Sequence, residues 1–99
     1  MFDVRKTETF EAWLTNLRDR KARVLIAERI NRLAFYEHFG DAKPVAPGIM
    51  ELRVHYGPGY RLFASRRGKQ IVILLCGGDK RSQRRDIAKA IEISALIKD

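Results

Sequence analysis

The sequence is poor in the residues that build disulfides, metal sites and membrane spans. It has one cysteine, Cys76, and two histidines far apart in sequence, so neither a disulfide framework nor a Cys/His metal site is expected. No apolar run approaches the roughly 20 residues that cross a bilayer, and no N-terminal apolar segment resembles a secretion signal. We therefore expect a cytoplasmic protein with no metal or cofactor, in which Cys76 is a core residue.

Acidic residues are scarce in one third of the chain. Residues 53–85 contain nine Lys/Arg and a single acid, Asp79, whereas residues 1–52 contain nine Lys/Arg and eight acids. Nearly all of the net charge of +8 therefore belongs to one stretch. Charge concentrated in this way indicates a basic face, and such a face usually binds phosphate, most often that of a nucleic acid.

The basic stretch also carries the strongest strand patterns. Apolar residues alternate with Glu51, Arg53 and His55, which predicts a half-buried strand with these three side chains on its polar face. The glycines of Gly57-Pro58-Gly59 permit the positive φ of a turn. A later continuous apolar run is typical of a strand covered on both faces. The prediction is a three-stranded meander, with strands at residues 49–56, 60–66 and 70–76.

Helical periodicity dominates the flanking segments. Apolar residues at helical spacing predict two helices, the first capped by Thr7 or Thr9 and the second by Asp19, which form a hairpin on one face of the sheet. Trp13 is expected to pack in the core. A further helix is predicted from Ser82, its N-cap, to residue 97. Its expected buried stripe is Ile87, Ala88, Ile91 and Ala95.

Three other segments complete the chain. The first residues alternate as a short strand, expected at the middle of the sheet beside residues 70–76. Residues 41–48, with two prolines, predict a loop. An aromatic cluster has two readings, packing under that loop or a protein-binding patch; it consists of Phe35, Tyr36, His38 and Phe39. At 99 residues, the chain is expected to be one α+β domain spanning residues 1–99, in the order β-α-α-β-β-β-α.

This order, together with three short motifs, resembles the RelE/ParE superfamily of small toxins from bacterial toxin–antitoxin modules. The motifs are ELRVHYGPGYRLF at residues 51–63, LLCGGDK at 74–80 and RDIAKA at 85–90. The closest likeness is to the HigB-like "addiction module killer protein" branch. The resemblance implies a RelE-like fold with a helical hairpin on a small, mainly antiparallel sheet. It also implies metal-independent cleavage of mRNA on the ribosome, and neutralisation by a cognate antitoxin, often of the helix-turn-helix type.

The resemblance also implies roles for individual residues. Arg61, in a Gly-Tyr-Arg unit, matches the arginine that such toxins use at the scissile phosphate, and Lys80 and Arg81 match a second basic cluster. Where RelE has lysines on the strand before the turn, this chain has Leu52 and Val54. Where RelE has a tyrosine in its last helix, the chain has the neighbourhood of Asp86 and Ile87. The general acid and base are therefore open, as is the ParE-like alternative, a non-nuclease toxin that inhibits DNA gyrase.

Cleavage of RNA through its 2′-hydroxyl needs a base, an acid and cations for the phosphorane charge. His55 is the candidate proton carrier, because its reference pKa of about 6.5 is close to neutrality. Arg61 stays protonated and can only hold phosphate, and its charge is not expected to be needed by the core. The candidate catalytic residues are Arg61, His55 and Arg53. The candidate nucleic-acid contacts are Lys80, Arg81, Arg84, Arg66, Arg67, Lys69 and Tyr60, with Tyr56 and Tyr60 able to stack on a base or to pack in the core.

Overall fold

The structure, a computed structural model, describes residues 1–98 and is an α+β domain with three helices on a five-stranded mixed sheet. The strands are β1 (Asp3–Lys6), β2 (Ala42–Ala46), β3 (Ile49–Val54), β4 (Tyr60–Arg67) and β5 (Ile71–Gly78). The helices are α1 (Glu8–Thr15), α2 (Arg20–Tyr36) and α3 (Gln83–Leu96), and a 3-10 turn, Lys80–Ser82, precedes α3. No helix among residues 1–98 is long and apolar enough to cross a membrane.

The meander predicted from the sequence is confirmed. The strand order is β1-β5-β4-β3-β2, with β3, β4 and β5 antiparallel to one another. β1 lies beside β5 as expected, in parallel register with Asp3 opposite Ile71, but at the edge of the sheet rather than at its middle. β3 ends at Val54, two residues earlier than predicted, because the amide of Tyr56 already turns back to the carbonyl of Val54 at 2.9 Å.

The prediction of a loop over residues 41–48 is wrong. Residues 42–46 form β2, which pairs antiparallel with β3 and ends in a bulge between Pro44 and Ala46. Proline cannot donate a ladder hydrogen bond, so the two prolines of this segment predict a loop when only the local sequence is considered. On an edge strand only one side of the backbone is paired, so Pro44 is accommodated there.

The two faces of the sheet are covered by different helices. The hydroxyl of Thr7 caps α1 and the carboxylate of Asp19 caps α2, as predicted. The residues of α1 and α2 form a core with one face of the sheet, including Phe10, Leu33, Leu52, Leu62 and Leu74. α3 covers the other face, in a second cluster that includes Ile49, Phe63, Leu75, Cys76 and Ala90. β5 is therefore buried on both faces, as its continuous apolar run predicted.

The predicted buried stripe of α3 is correct at Ile87 and wrong at its other three positions. Ala88 and Ala95 are exposed and Ile91 is 47 % exposed, whereas the residues facing the sheet are Ile87, Ala90, Ile93 and Ile97. Both sets recur at helical spacing, so periodicity alone does not choose between them. Polar contacts set the rotation of the helix, since Gln83 reaches a buried carboxylate in the sheet and Asp86 accepts from Ser82. Ser82 precedes α3 without capping it by its side chain.

The aromatic cluster at the end of α2 divides between the two readings. Phe39 is partly buried, and its ring lies 5.5 Å from that of Phe2 between centroids. Phe35 and Tyr36 are 58 % and 78 % exposed. The end of α2 therefore presents two adjacent aromatic side chains to solvent.

Candidate functional site

The fold divides the basic stretch of residues 53–85 between two ends of the sheet. In the β4–β5 pair, Arg61 lies opposite Gly78 at one end and Arg67 lies opposite Ile71 at the other. The six residue steps from Arg61 to Arg67 span about 20 Å at the rise of an antiparallel strand. Basic residues that are contiguous in sequence therefore do not form the single face expected from the sequence.

The basic residues at the far end have structural contacts. Arg67 donates from Nη1 to the carbonyl of Ile97 at 2.9 Å and from Nη2 to the carbonyl of Ser94 at 2.8 Å, so it ties the end of α3 to the sheet. The guanidinium of Arg66 lies 5.0 Å from the centroid of the Phe2 ring. Lys69 is exposed in the turn that joins β4 to β5. The structure thus separates these three predicted nucleic-acid contacts from Arg61.

At the near end, Arg61 is held in a fixed orientation. Its Nε donates to Oε1 of Glu51 at 2.7 Å, and its Nη1 donates to the carbonyl of Gly59 at 2.7 Å. The side chain is 12 % exposed. Within residues 1–98, the remaining nitrogen, Nη2, has no hydrogen-bond partner, and it is not sealed from solvent. An arginine held in this way presents one edge of its guanidinium outward.

Glu51 departs most from the sequence prediction. The alternation predicts that it lies on the polar face of its strand, but its side chain is 0 % exposed. Besides Arg61, it accepts from Nε2 of Gln83 at 2.5 Å, and its Oε2 lies 3.6 Å from Nε of Arg53. Two guanidinium groups and an amide offset the desolvation of the carboxylate. The alternation of β3 predicts that Glu51 lies on the face opposite Leu52, as it does, but nothing in the sequence shows that Gln83 of α3 closes over it.

The turn at residues 57–59 brings Lys80 to Arg61. Gly59 has a φ of +80°, and a Cβ there would lie 3.1 Å from Nη1 of Arg61 and 3.6 Å from Cβ of Lys80. The amide of Lys80 also approaches the carbonyl of Pro58 at 3.4 Å. Lys80 and Arg81 are exposed in the 3-10 turn, and Arg84 is exposed in the first turn of α3. Lys80, which the resemblance assigns to a second basic cluster, therefore lies at the same turn as Arg61.

His55 lies outside that neighbourhood. It follows the end of β3, its side chain is 74 % exposed, and its Nε2 contacts Oδ2 of Asp41. This hydrogen bond is the main reason why the pKa of Asp41 is lowered. Together with Arg29, Arg53 and Tyr56, His55 lines a small pocket of about 180 Å³. Arg53 lies between the Arg61 site and this pocket, because its Nε faces Glu51 and the residue also lines the pocket.

The predicted aromatic contacts also differ from the expectation. Tyr60 is buried, its ring lies 6.3 Å from that of Trp13 in an edge arrangement, and burial raises its pKa. It packs in the core and is not available to stack on a base. Tyr56 is half-buried, donates to Oδ1 of Asp19 at 3.4 Å and lies under the ammonium of Lys21.

Chemically, the near end is suited to an anion such as phosphate. Arg61 offers its oriented Nη2 group, and the exposed residues Lys80 and Arg81 follow in the 3-10 turn whose first residue lies close to Gly59. Among the described residues, Glu51 is the only titratable side chain that contacts Arg61, and it is closed off from solvent. No group of three or more potential metal-ligating side chains occurs in residues 1–98.

A protein of Haemophilus influenzae, described as an uncharacterized protein, is 46% identical to this chain over 87 residues. The match covers 88% of this chain and 87% of that protein. The chain belongs to the same family as this Haemophilus protein. No family model matches the sequence. Identity at this level over nearly the whole length means that the two proteins share one fold.

Proposed function

We propose that this chain is the toxin of a bacterial type II toxin–antitoxin module, of the RelE/ParE superfamily, and that it cleaves mRNA on the ribosome. The observation that carries the proposal is the oriented guanidinium of Arg61, which Glu51 and Gly59 hold while its Nη2 stays open to solvent. A fixed cation with one open donor edge suits a phosphate whose negative charge increases in the transition state.

The fold lends support to this proposal. The succession of an N-terminal strand, a helical hairpin, a three-stranded meander and a C-terminal helix supports the proposal, and β2 is an edge strand that the resemblance does not include. The motif that carries Arg61 forms the β3–β4 hairpin, and the motif ending in Lys80 forms β5 and the turn after it. The parts that resemble the superfamily are therefore the parts that meet at the site.

In this proposal, the cations supply most of the catalysis. Arg61 holds the scissile phosphate and Lys80 and Arg81 screen the developing phosphorane charge. Because Glu51 is closed and His55 faces Asp41, the chain contributes orientation and charge more than proton transfer. The protein acts in the cytoplasm, where a cognate antitoxin, of helix-turn-helix type in the proposal, keeps it inactive.

A second candidate is a ParE-like toxin that binds DNA gyrase and cleaves nothing. The position of His55 favours it, because the one histidine of the basic stretch is turned to Asp41 and not to Arg61. We rank it second because binding alone gives no reason to orient Arg61 on a buried carboxylate.

Two assays separate the candidates. Purified protein is added to a translation reaction and the mRNA ends are mapped, and the same preparation is added to a gyrase supercoiling reaction. The first candidate predicts new mRNA ends with normal supercoiling. Inhibited supercoiling with intact mRNA would establish the second candidate instead.

A further inference from the structure

A groove between α1 and α3 lies next to the proposed site and contains none of the residues assigned to it. Its volume is about 480 Å³, within the usual range of ligand sites. One wall is formed by α1 and its C-cap, with Thr9, Trp13 and Asn16. The other wall is formed by α3, with Arg85, Asp86 and Lys89. The end of β5, at Gly77, lies between them. This α1–α3 groove combines an aromatic ring, uncharged polar groups and two cations.

The α1–α3 groove adjoins a second cleft at the 3-10 turn. This second cleft, of about 470 Å³, is lined by Asp79, Arg81, Ser82 and Arg85. Arg85 borders both clefts, so they meet at this residue near the start of α3. Successive cations on this side are Arg81, Arg85 and Lys89, spaced four residues apart. At a rise of 1.5 Å per residue, four residues of helix span about 6 Å.

Trp13 is held rigidly in the groove. A Cβ on Gly77 would lie only 2.3 Å from the indole ring, so the ring rests directly on the backbone of β5. Phe10 and Tyr60 pack against it, with centroid distances of 5.6 and 6.3 Å. The indole nevertheless remains only partly buried and borders the groove. A fixed, partly open indole is a platform on which a base can stack at little entropic cost.

The polar groups of the walls are available to a ligand. The Asn16 amide and the Thr9 hydroxyl make no side-chain hydrogen bond within residues 1–98. Asp86 is already engaged, because its Oδ2 accepts from Ser82 at 2.5 Å and its Oδ1 lies 3.8 Å from Nε of Arg85. The carboxylate therefore does not leave the groove with an unbalanced negative charge.

We propose that the α1–α3 groove binds the single-stranded RNA that flanks the cleaved phosphate, with a base on Trp13 and backbone phosphates on Arg85 and Lys89. The proposal rests on the proposed function for the identity of the strand. A single strand fits better than a duplex, because only unpaired bases can reach an indole between two helices. Cations at intervals along one wall and one aromatic platform are the features of a sequence-tolerant single-strand site.

The test uses binding of a short, mixed-sequence, single-stranded RNA oligonucleotide in the absence of ribosomes. Trp13 is the only tryptophan, so its emission reports directly on the groove. Affinity is measured over a range of salt concentrations for the wild type, Arg85→Gln, Lys89→Gln and Lys98→Gln. The last variant is the matched control, because Lys98 borders a separate cavity with Gly68, at the opposite end of the sheet.

We expect RNA to change the emission of Trp13, and Arg85→Gln and Lys89→Gln each to lower the salt slope by about 0.7. Lys98→Gln should leave the slope unchanged. Constant Trp13 emission during binding, wild-type slopes in both groove variants, or no RNA binding by the wild type would each overturn the proposal. Equally tight binding of the corresponding duplex with the same emission change would also overturn it. Because no ribosome is present, these outcomes are independent of whether mRNA is cleaved in translation.

Discussion

Replacing Arg61 by alanine tests the buried ion pair beneath the proposed site. The variant removes the closest cation from Glu51, whose side chain is fully buried, and also removes the donor to the carbonyl of Gly59. Gln83 remains as a donor, and Nε of Arg53 remains 3.6 Å from Oε2. Breaking a buried pair by removing one partner costs about 3 to 5 kcal/mol. The sequence expectation that the core does not need the charge of Arg61 is therefore wrong.

The assays are urea unfolding and thermal unfolding at neutral pH, both followed by the emission of Trp13. In a domain of this size, a loss of about 3 kcal/mol in the free energy of unfolding corresponds to a fall in Tm on the order of 15 °C. Arg81→Ala is the matched control, since Arg81 is exposed and the described contacts of this residue involve its backbone amide; it should change stability by less than about 0.5 kcal/mol.

A third variant separates charge from orientation. Glu51→Gln keeps an acceptor for Arg61 but removes the buried charge, so it should unfold closer to the wild type than Arg61→Ala does. If Arg61→Ala is as stable as Arg81→Ala, the carboxylate of Glu51 is not held by Arg61 and the reasoning fails. A loss of toxicity in Arg61→Ala is therefore informative only at a temperature where the variant is folded.

Four further predictions concern single sites. Burial raises the pKa of Cys76 to about 12. Iodoacetamide at pH 8 should therefore label this thiol only as fast as the chain unfolds, and rapid labelling of the folded protein would contradict this. Gly77→Ala should lower stability and shift Trp13 emission, because the new methyl group overlaps the indole; unchanged emission would show that the ring is not fixed there. The hydrogen bond from His55 lowers the pKa of Asp41 in the folded state, so this carboxyl stabilises the fold above its unfolded pKa and ceases to do so as the pH falls through its folded pKa. In urea titrations, Asp41→Asn should therefore be less stable than the wild type at pH 7, and the difference should shrink as the pH is lowered. A pH-independent difference would count against this. Phe35→Ala should change stability by less than about 0.5 kcal/mol and weaken binding of the proposed antitoxin in a titration, whereas unaltered affinity would remove Phe35 from that interface.

Local patterns predicted the elements well. Period-2 and helical patterns, with Thr7 and Asp19 as caps, identified the meander and the helical hairpin. The strand β2 and the buried face of α3 were not predicted, because contacts with the rest of the fold decide them. Pro44 indicates a loop in isolation, yet an edge strand accepts it, and α3 has two apolar stripes, of which polar contacts of Gln83 and Asp86 select one.

The site was less predictable than the fold. The resemblance assigned Arg61 to the scissile phosphate and Lys80 and Arg81 to a second basic cluster, and the proximity of Lys80 to Arg61 follows from the turn at Gly59. The burial of Glu51 depends on three side chains from separate elements, and no sequence pattern encodes such a contact. The division of the basic stretch follows from strand length alone. It could have been anticipated, since residues at the two ends of a hairpin strand cannot share a site.

The most direct test of the central claim is a reconstituted translation reaction with a defined mRNA, run with and without ribosomes. The ends of the mRNA are mapped after addition of wild-type protein or Arg61→Lys, which keeps the charge but cannot reproduce the paired contacts of Nε and Nη1. Ribosome-dependent cleavage through Arg61 predicts new mRNA ends within the translated region for the wild type, and only when ribosomes are present. Folded Arg61→Lys should cleave much less. Intact mRNA in the presence of ribosomes and wild-type protein would contradict it.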